Sequence, residues 1–159
     1  MTLIPQAIAG VPTTLVVDTN IWLDMLVFDD PGTCRLATLL QPSSPLRALS
    51  TGEMRAELAD VIARPLFKLS EAQQAALLMR FDGIVILTPP AHDCRLPCRD
   101  PDDRKFLDLA IGRRTSWLLS RDRALLAARK VAWTRFEVRI GQVADFYKWL
   151  DVTAGQAAR

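Results

Sequence analysis

Histidine and cysteine are scarce in this 159-residue sequence, which contains one histidine and three cysteines. Because a serine or cysteine nucleophile usually depends on a histidine base, such a pair is possible only around His92, where no supporting motif is found. Three is an odd number of cysteines, and a chain of this length can bury its own core. We therefore expect reduced thiols rather than a disulfide framework.

The single histidine precedes two of the cysteines, in the order His92, Cys94 and Cys98. A structural zinc ion takes four ligands, whereas this proline-bearing loop offers three and lacks a Cys-x-x-Cys pair. Zinc is therefore the less favoured interpretation of the loop.

Long apolar runs are also missing from the sequence. No stretch approaches the roughly 20 apolar residues that span a bilayer, and the N-terminus lacks a basic region followed by a long apolar core. The formal net charge is only +2. This charge permits a nucleic-acid partner without requiring one, although arginine is much more frequent than lysine and is the better phosphate ligand. We expect a cytoplasmic protein with no membrane segment.

The most informative stretch that is present runs from Leu15 to Leu26. An aliphatic run, Leu15-Val16-Val17, ends in the polar triplet Asp18-Thr19-Asn20, after which apolar residues recur at helical spacing. This pattern predicts a strand, a turn and a helix. Strands without alternation are typical of parallel sheets buried on both faces, where ligands bind outside the carboxyl ends of the strands. Asp18 is expected at such an end.

Strand-like and helix-like segments alternate along the rest of the chain. Further strands are predicted at 46–49, 84–87, 117–120 and 136–140, and two of the intervening helices open with capping boxes, at 50–53 and 70–73. Such alternation predicts an α/β fold, a three-layer α/β/α sandwich with a central, mainly parallel sheet. We expect a flexible leader at 1–13, one domain at 14–151 and a tail at 152–159.

Acidic residues occur where this fold would gather them. Asp18 and Asp122 follow strands, Asp102 and Asp103 begin a helix predicted from about 102 to 111, and Glu57 lies about two turns into the helix after the second strand. Because parallel strands end at the same edge of a sheet, these carboxylates are expected to converge there.

The four acidic segments, in this order, resemble those of the PIN-domain ribonucleases, and most closely the branch that contains toxins of toxin–antitoxin systems. The resemblance covers 15 to about 150. It rests on Asp18-Thr19-Asn20-x-x-Leu23, on Arg55-Ala56-Glu57-Leu58, on the run from Asp100 to Ala110, and on Leu119-Ser120-Arg121-Asp122-Arg123-x-Leu125-Leu126.

What the resemblance implies is a PIN-like fold, a Mg²⁺ or Mn²⁺ site, and cleavage of RNA. Position by position, it assigns catalysis and metal binding to Asp18, Glu57, Asp103 and Asp122. Asn20 and Ser120 match polar positions that support the site. As a toxin, the protein would pair with an antitoxin that covers the acidic pocket, and many relatives form homodimers.

The chemistry of phosphodiester hydrolysis favours the same residue types. A divalent cation binds a phosphate oxygen, acidifies the attacking water and stabilises the leaving oxygen, and Mg²⁺ prefers oxygen ligands while keeping several waters. We expect Asp18, Asp103 and Asp122 to be ligands, with Glu57 holding a second ion or a bound water. Carboxylates gathered in this way repel, so some should have raised pKa values in the metal-free protein.

Each acidic residue also has a structural interpretation. Asp18 is well placed to cap the following helix, Glu57 is suited to a solvated helix face, and acids at a helix start such as Asp100 are favoured by the helix dipole. Asp102 remains an alternative to Asp103, which is preferred for its register with the apolar residues that follow.

Basic and aromatic side chains add weaker indications. Arginines flank the acids and are candidates for phosphate contacts, although a solvated face explains them nearly as well; these are Arg55, Arg104, Arg121 and Arg123. Trp133, between Lys130 and Arg135, is a candidate for stacking on an RNA base.

Two other functional classes are considered beside the ribonuclease. A PIN-like module that binds RNA or protein without cutting is the main alternative, but all four acidic positions are filled, which favours the enzyme. A phosphatase of the haloacid-dehalogenase type also places an aspartate after its first strand. Its pattern requires a second aspartate two residues later, where this chain has Asn20.

Overall fold

A computed structural model of the protein describes residues 13–91, 96, 98, 100–157 and 159. Within these residues the chain forms five β-strands and eight α-helices. The strands are β1 (Thr13–Val17), β2 (Leu46–Ser50), β3 (Val85–Leu87), β4 (Trp117–Leu119) and β5 (Arg139–Gly141).

The helices connect the strands and close the chain. They are α1 (Thr19–Leu26), α2 (Cys34–Leu39), α3 (Gly52–Ile62), α4 (Glu71–Ile84), α5 (Arg104–Gly112), α6 (Arg123–Ala127), α7 (Arg129–Phe136) and α8 (Val143–Ala157). Two short 3₁₀ turns, at Pro31–Thr33 and Pro65–Phe67, follow α1 and α3.

All five strands are parallel, and their order in the sheet is β3-β2-β1-β4-β5. The chain first builds outwards from β1 to β3, and then returns to the other side of β1 with β4 and β5. The sheet therefore changes winding direction between β1 and β4, whose last residues, Val17 and Leu119, are paired. Ligands of open α/β sheets bind outside the carboxyl ends of strands at such a switch point.

Helices cover both faces of the sheet, as alternation along β1 shows. Leu15 and Val17 join the core beneath α1, α2, α4 and α8, whereas Val16 joins the core beneath α5, α6 and α7. Trp117 of β4 packs edge-on against Phe146 of α8, with ring centroids 5.6 Å apart. The three-layer α/β/α sandwich expected from the sequence is confirmed, with every strand parallel.

Helix starts follow the capping chemistry in the sequence. Ser70 and Gln73 form a reciprocal capping box at α4, with each side chain accepting the backbone N–H of the other. At α3 the capping box predicted at 50–53 is wrong, because Ser50 ends β2 and the cap is the Thr51 hydroxyl, which accepts the N–H of Met54 at 3.2 Å. Such caps stabilise a helix by typically about 1 kcal/mol. Because this cap sets the start of α3, it also sets the position of Glu57 along that helix.

Three details differ from the sequence prediction. Helix α5 begins at Arg104 rather than near Asp102, because residues 101–103 form a turn in which Asp100 accepts the N–H of Asp102. The edge strand predicted at 136–140 is wrong, since α7 continues to Phe136 and only Arg139–Gly141 pairs with β4. Helix α8 extends to Ala157, through most of the predicted tail.

Some sequence predictions lie outside the described residues. These are the leader at 1–12, together with His92 and Cys94 of the possible zinc loop. Cys98 is described, and its thiol donates to the carbonyl of Asp100 at 3.2 Å. Across the described part of the chain, no helix is long and apolar enough to cross a membrane.

Candidate metal centre

Asp18 lies at the centre of the carboxyl edge of the sheet. It is the first residue after β1, and its backbone N–H donates to the carbonyl of Leu119 at the end of β4. The residue is only 4% exposed. Although it holds the N-cap position of α1, its side chain makes no capping hydrogen bond. The helix-cap interpretation of Asp18 is therefore wrong, and its carboxylate is not used to cap α1.

Ser120 connects Asp18 to Asp122. Its hydroxyl donates to Asp18 Oδ2 at 2.7 Å and accepts the backbone N–H of Asp122 at 3.0 Å. Ser120 is fully buried after β4. The structure thus brings the predicted supporting serine into direct contact with the acids at both adjacent strand ends.

Asp122 is held by the helix that follows it. Its Oδ1 accepts the N–H groups of Ala124 and Leu125, at 2.7 and 3.4 Å, so one carboxylate oxygen caps α6. Both capping bonds use Oδ1. Asp122 is therefore oriented at the helix N-terminus with its second oxygen outside the cap.

Asp103 and Asp102, the two alternatives that the sequence leaves open, have different environments. Asp102 is exposed, whereas Asp103 is half-buried, and its Oδ2 is a buried oxygen with no hydrogen-bond partner among the described residues. Burial, together with the charges of Asp122, Asp100 and Asp18, raises the pKa of Asp103 to about 6. Burial and the charges that act on it therefore associate Asp103, not Asp102, with Asp18 and Asp122.

Glu57 approaches the same cluster from α3, but it is neutralised from within the protein. Its carboxylate accepts a 3.0 Å hydrogen bond from the Thr19 hydroxyl and forms an ion pair with the ammonium of Lys105 on α5. Lys105 also donates to the carbonyl of Asp102 at 2.7 Å. Glu57, which the sequence predicts to hold a second metal ion or a bound water, thus already has an internal cation beside its carboxylate.

The electrostatics show that the four acids share one environment. Burial raises the pKa of Asp18, an effect that the Ser120 hydrogen bond opposes and that the charges of Asp122 and Glu57 increase. After burial, the charge of Asp122 contributes most to the raised pKa of Asp103. The predicted rise in pKa is therefore confirmed at Asp18 and Asp103.

These residues fit a hard divalent cation. All of their possible metal ligands are oxygen atoms. Repulsion between the carboxylates makes it costly to keep them ionised without a cation. In addition, a buried oxygen of Asp103 accepts no hydrogen bond from the described residues. Within the same part of the chain, no three histidine, cysteine or carboxylate side chains form a ready-made metal cluster. Mg²⁺ does not require one, since it keeps several waters and takes only one or two carboxylates directly.

The predicted phosphate-binding arginines fall into two groups. Three have carboxylate partners: Arg55 holds Asp82 through two bonds of 2.7 and 2.8 Å, Arg121 contacts Asp24 at 3.1 Å, and Arg104 contacts Asp108 at 3.7 Å. Arg123 is exposed beside Asp122, without an ion pair to any residue that the structure describes. Of the four, Arg123 best fits the predicted role.

Two other predicted residues lie at the margins. Asn20 is exposed in the first turn of α1. It is close to Asp18 in the sequence, but no hydrogen bond joins its side chain to any of the four acids. Trp133 is 43% exposed, but it lies on α7 beneath the guanidinium of Arg139. It is not part of the acidic cluster.

The roles of Thr19 and Lys105 were missed by the sequence predictions. The pairing of Lys105 with Glu57 depends on the distance between α3 and α5, which no local pattern contains. Thr19 lies within the polar triplet after β1 and directly follows Asp18, which was a signal for its place at the site. That it donates to Glu57, 38 positions away, could not be seen in the sequence.

Fold and site together define an α/β/α protein with an acidic centre at its topological switch point. A sequence model of the PIN domain matches residues 14–124, well over half of the chain and a range that contains all four acids. The chain therefore belongs to the PIN domain family. No curated protein and no solved structure matches it significantly. PIN domains are in general nucleases, usually with divalent metals.

Proposed function

We propose that this PIN-domain protein is an endoribonuclease dependent on Mg²⁺ or Mn²⁺ that hydrolyses RNA phosphodiester bonds. What supports the proposal is the set of interactions among Asp18, Asp103 and Asp122 near the switch point between β1 and β4, where Ser120 joins Asp18 to Asp122 and the charges of both acids act on Asp103. There the Asp103 carboxyl has a pKa of about 6 and a buried oxygen without a donor among the described residues. Such a centre gains stability by binding a cation.

Asp18, Asp103 and Asp122 would hold the cation, one or two of them directly and the others through its bound waters. When bound, a divalent cation supplies charge neutralisation at the scissile phosphate and acidifies the attacking water. Ser120 fixes the orientation of the Asp18 carboxylate through its 2.7 Å bond. The capping bonds to α6 hold Asp122 in the same way. These contacts preorganise the acids before the substrate arrives.

Glu57 and Lys105 act as a pair beside this centre. Their ion pair holds Glu57 in place, and Lys105 adds a positive charge at the border of an otherwise acidic region. An anionic RNA backbone must approach this region, so the ammonium lowers the electrostatic cost of that approach. Glu57 is thus proposed as a catalytic residue that positions water rather than as a main metal ligand.

The direct test is a nuclease assay on a panel of RNAs in Mg²⁺, Mn²⁺ or chelator. We expect Asp18→Asn and Asp103→Asn each to lower the cleavage rate by about 100-fold or more, because each removes a ligand charge. Asp102→Asn is the matched control, since it makes the same change one residue away on an exposed side chain, and it should cleave within about twofold of wild type.

The result also decides between the two acids at positions 102 and 103. Cleavage that persists in both Asp18→Asn and Asp103→Asn, or in chelator, would mean a contaminating nuclease or a different site. A loss of cleavage in Asp102→Asn without a loss in Asp103→Asn would show that Asp102, not Asp103, is the metal ligand.

A PIN-like module that binds RNA or protein without cutting is the second candidate. The specific observation in its favour is the Lys105 ammonium on Glu57, an internal cation beside the site. This candidate predicts that wild type binds RNA but leaves it intact in every metal, so the same assay separates the two.

The toxin role is proposed from the resemblance of the acidic segments to the toxin branch, and with it a cognate antitoxin, a cytoplasmic location and a homodimer. Induced expression in bacterial cells should arrest growth, whereas Asp103→Asn should not. Co-expression of a small neighbouring open reading frame encoding a DNA-binding partner should restore growth. Unimpeded growth with active enzyme present would contradict the toxin role without contradicting the ribonuclease activity.

A further inference from the structure

A polar cavity lies at the opposite edge of the sheet from the acidic centre. Its volume is about 610 Å³, and its walls include the C-terminal turns of α5 and α7 and the residues that lead into β4 and β5. Three arginines line it, Arg114, Arg135 and Arg139, against one carboxylate, Glu137. The charge lining this cavity is therefore positive.

Arg139 is held in this cavity by stacking. Its guanidinium lies over the ring of Trp133 at 4.1 Å and over that of Trp149 at 5.4 Å. Burial lowers its pKa, and the charge of Glu137 only partly opposes this. Within the described part of the chain, Arg139 has no ion pair. A partly desolvated guanidinium that forms no ion pair is well suited to bind an external anion.

The other two arginines extend the positive surface to solvent. Both Arg114 and Arg135 are exposed, and neither has an ion pair among the described residues. Arg114 follows the last turn of α5 in the left-handed conformation, with φ of 50°, and the N–H of Thr115 donates to the carbonyl of Ala110 at 2.9 Å. This helix C-cap fixes the backbone at Arg114.

An exposed aromatic ring adjoins the guanidinium of Arg139. Trp133 is 43% exposed while one face carries Arg139, so part of the indole remains open to solvent. Cationic side chains that follow a phosphate backbone, together with an aromatic platform for an unpaired base, are the two features of single-stranded nucleic-acid sites.

The cavity is distant from the acidic centre and lies partly outside the residues that match the PIN domain. Ser116 lines the cavity before β4 and Ser120 touches the acids after it, a separation of about 13 Å along the strand. The matched PIN segment ends at residue 124, so the wall formed by 134–139 lies beyond it.

We propose that this arginine cavity is a second binding site for single-stranded RNA, in which Arg114, Arg135 and Arg139 contact the phosphate backbone and Trp133 stacks on an unpaired base. The site holds RNA independently of cleavage at the acidic centre. It gives a longer RNA a second point of attachment on the same molecule.

The test is fluorescence anisotropy with a labelled oligouridylate, in chelator, at salt concentrations between about 50 and 200 mM. The double variant Arg114→Gln with Arg135→Gln should bind about tenfold more weakly and should lower the slope of log K against log salt by about 1.4, or about 0.7 for each arginine replaced. Trp133→Leu should weaken binding severalfold with the slope unchanged. Arg64→Gln, an exposed arginine elsewhere, is the matched control.

Melting curves identify variants that fail to fold, and Arg135→Gln alone then carries the test with half the change in slope. Binding that is unchanged in the folded variants, or lowered equally by Arg64→Gln, would overturn the proposal. Displacement of the RNA by polyaspartate as readily as by unlabelled oligouridylate would also overturn it, since the cavity would then accept any polyanion. Because chelator prevents metal-dependent cleavage, failure here leaves the nuclease assay unaffected.

Discussion

The acidic centre has two sides that differ in how negative charge is neutralised. On one side, Glu57 has an internal cation, Lys105, and a hydroxyl donor, Thr19. On the other side, Asp18 and Asp103 have raised pKa values, and a buried oxygen of Asp103 has no donor in the described part of the chain. The same cluster is therefore satisfied on one side and electrostatically strained on the other.

This difference indicates where an external cation gains most. Binding at Asp18, Asp103 and Asp122 relieves the repulsion among these acids, whereas binding at Glu57 must compete with Lys105. One ion on the first side, rather than two ions shared across all four acids, is the arrangement that the charges favour. The predictions that follow change one side at a time.

Outside the metal ligands themselves, the largest effect is expected from Ser120→Ala, which acts on the strained side. The change removes the donor to Asp18 and the acceptor for the Asp122 N–H, so Asp18 loses the bond that orients it and the backbone at Asp122 loses one of its contacts. We expect a loss of about 10- to 100-fold in metal affinity or cleavage rate, as is typical when a group that orients a metal ligand is removed. Cleavage rates measured across a Mg²⁺ titration check this, and added Mg²⁺ should recover part of the rate.

The matched control for Ser120 is Ser50→Ala. Ser50 is also a buried serine at the carboxyl end of a neighbouring strand, and the structure gives it no hydrogen bond to any of the four acids. Equal losses in Ser50→Ala and Ser120→Ala would mean that the two serines act on packing alone.

A second effect concerns pH and the metal-free protein. The folded pKa of Asp103 is about 6, above its ordinary value of 3.8, so the folded state binds the proton more tightly than the unfolded state. The contribution of Asp103 to the free energy of unfolding therefore falls as pH rises from about 4 to above 6. Asp103→Asn removes this penalty. In chelator, the variant should be more stable than wild type at about pH 7.5 and not at about pH 4.

Urea denaturation of both proteins across this pH range measures the difference directly. Using the difference between variant and wild type cancels the other carboxylates, such as Asp82, whose pKa is lowered by Arg55. A difference that stays constant across the range would show that Asp103 is not strained in the folded protein.

The smallest effect is expected on the satisfied side. Lys105→Met keeps the apolar stem but leaves Glu57 without its cation, and both side chains are partly exposed. We expect a loss of about 1 kcal/mol, a fall of about 2–4 °C in melting temperature, because partly exposed pairs contribute little. Mg²⁺ should then stabilise this variant more than it stabilises wild type. Lys148→Met, on α8, serves as control, and an equal response to Mg²⁺ in both variants would contradict the difference between the two sides.

Much of the fold could be predicted from local patterns. The aliphatic run ending at Asp18 and the capping box at Ser70 are local features, and the structure confirms both. The strand predicted at 136–140 failed because Phe136 and Val138 alternate with charged residues while α7 continues through Phe136. Helix α7 is stabilised by the packing of Ala132 into the core, and a short window of sequence does not contain that information.

The candidate site divides in the same way. The positions of Asp18 and Asp122 follow from strand ends, which sequence patterns locate well. The choice between Asp102 and Asp103 depends on a turn before α5, and the Glu57–Lys105 ion pair depends on how two helices approach. The arginine cavity combines residues from α5, α7 and β5, so no single segment indicates it.

The most direct test of the acidic centre is binding of Mn²⁺ followed by electron paramagnetic resonance, since the signal of free Mn²⁺ falls as the ion binds. We predict one ion per chain in wild type and in Asp102→Asn, with binding weakened by about 100-fold in Asp103→Asn. If wild type binds no Mn²⁺, or if Asp103→Asn binds it as tightly as wild type does, the acids at the end of β1 and β4 are not a metal centre.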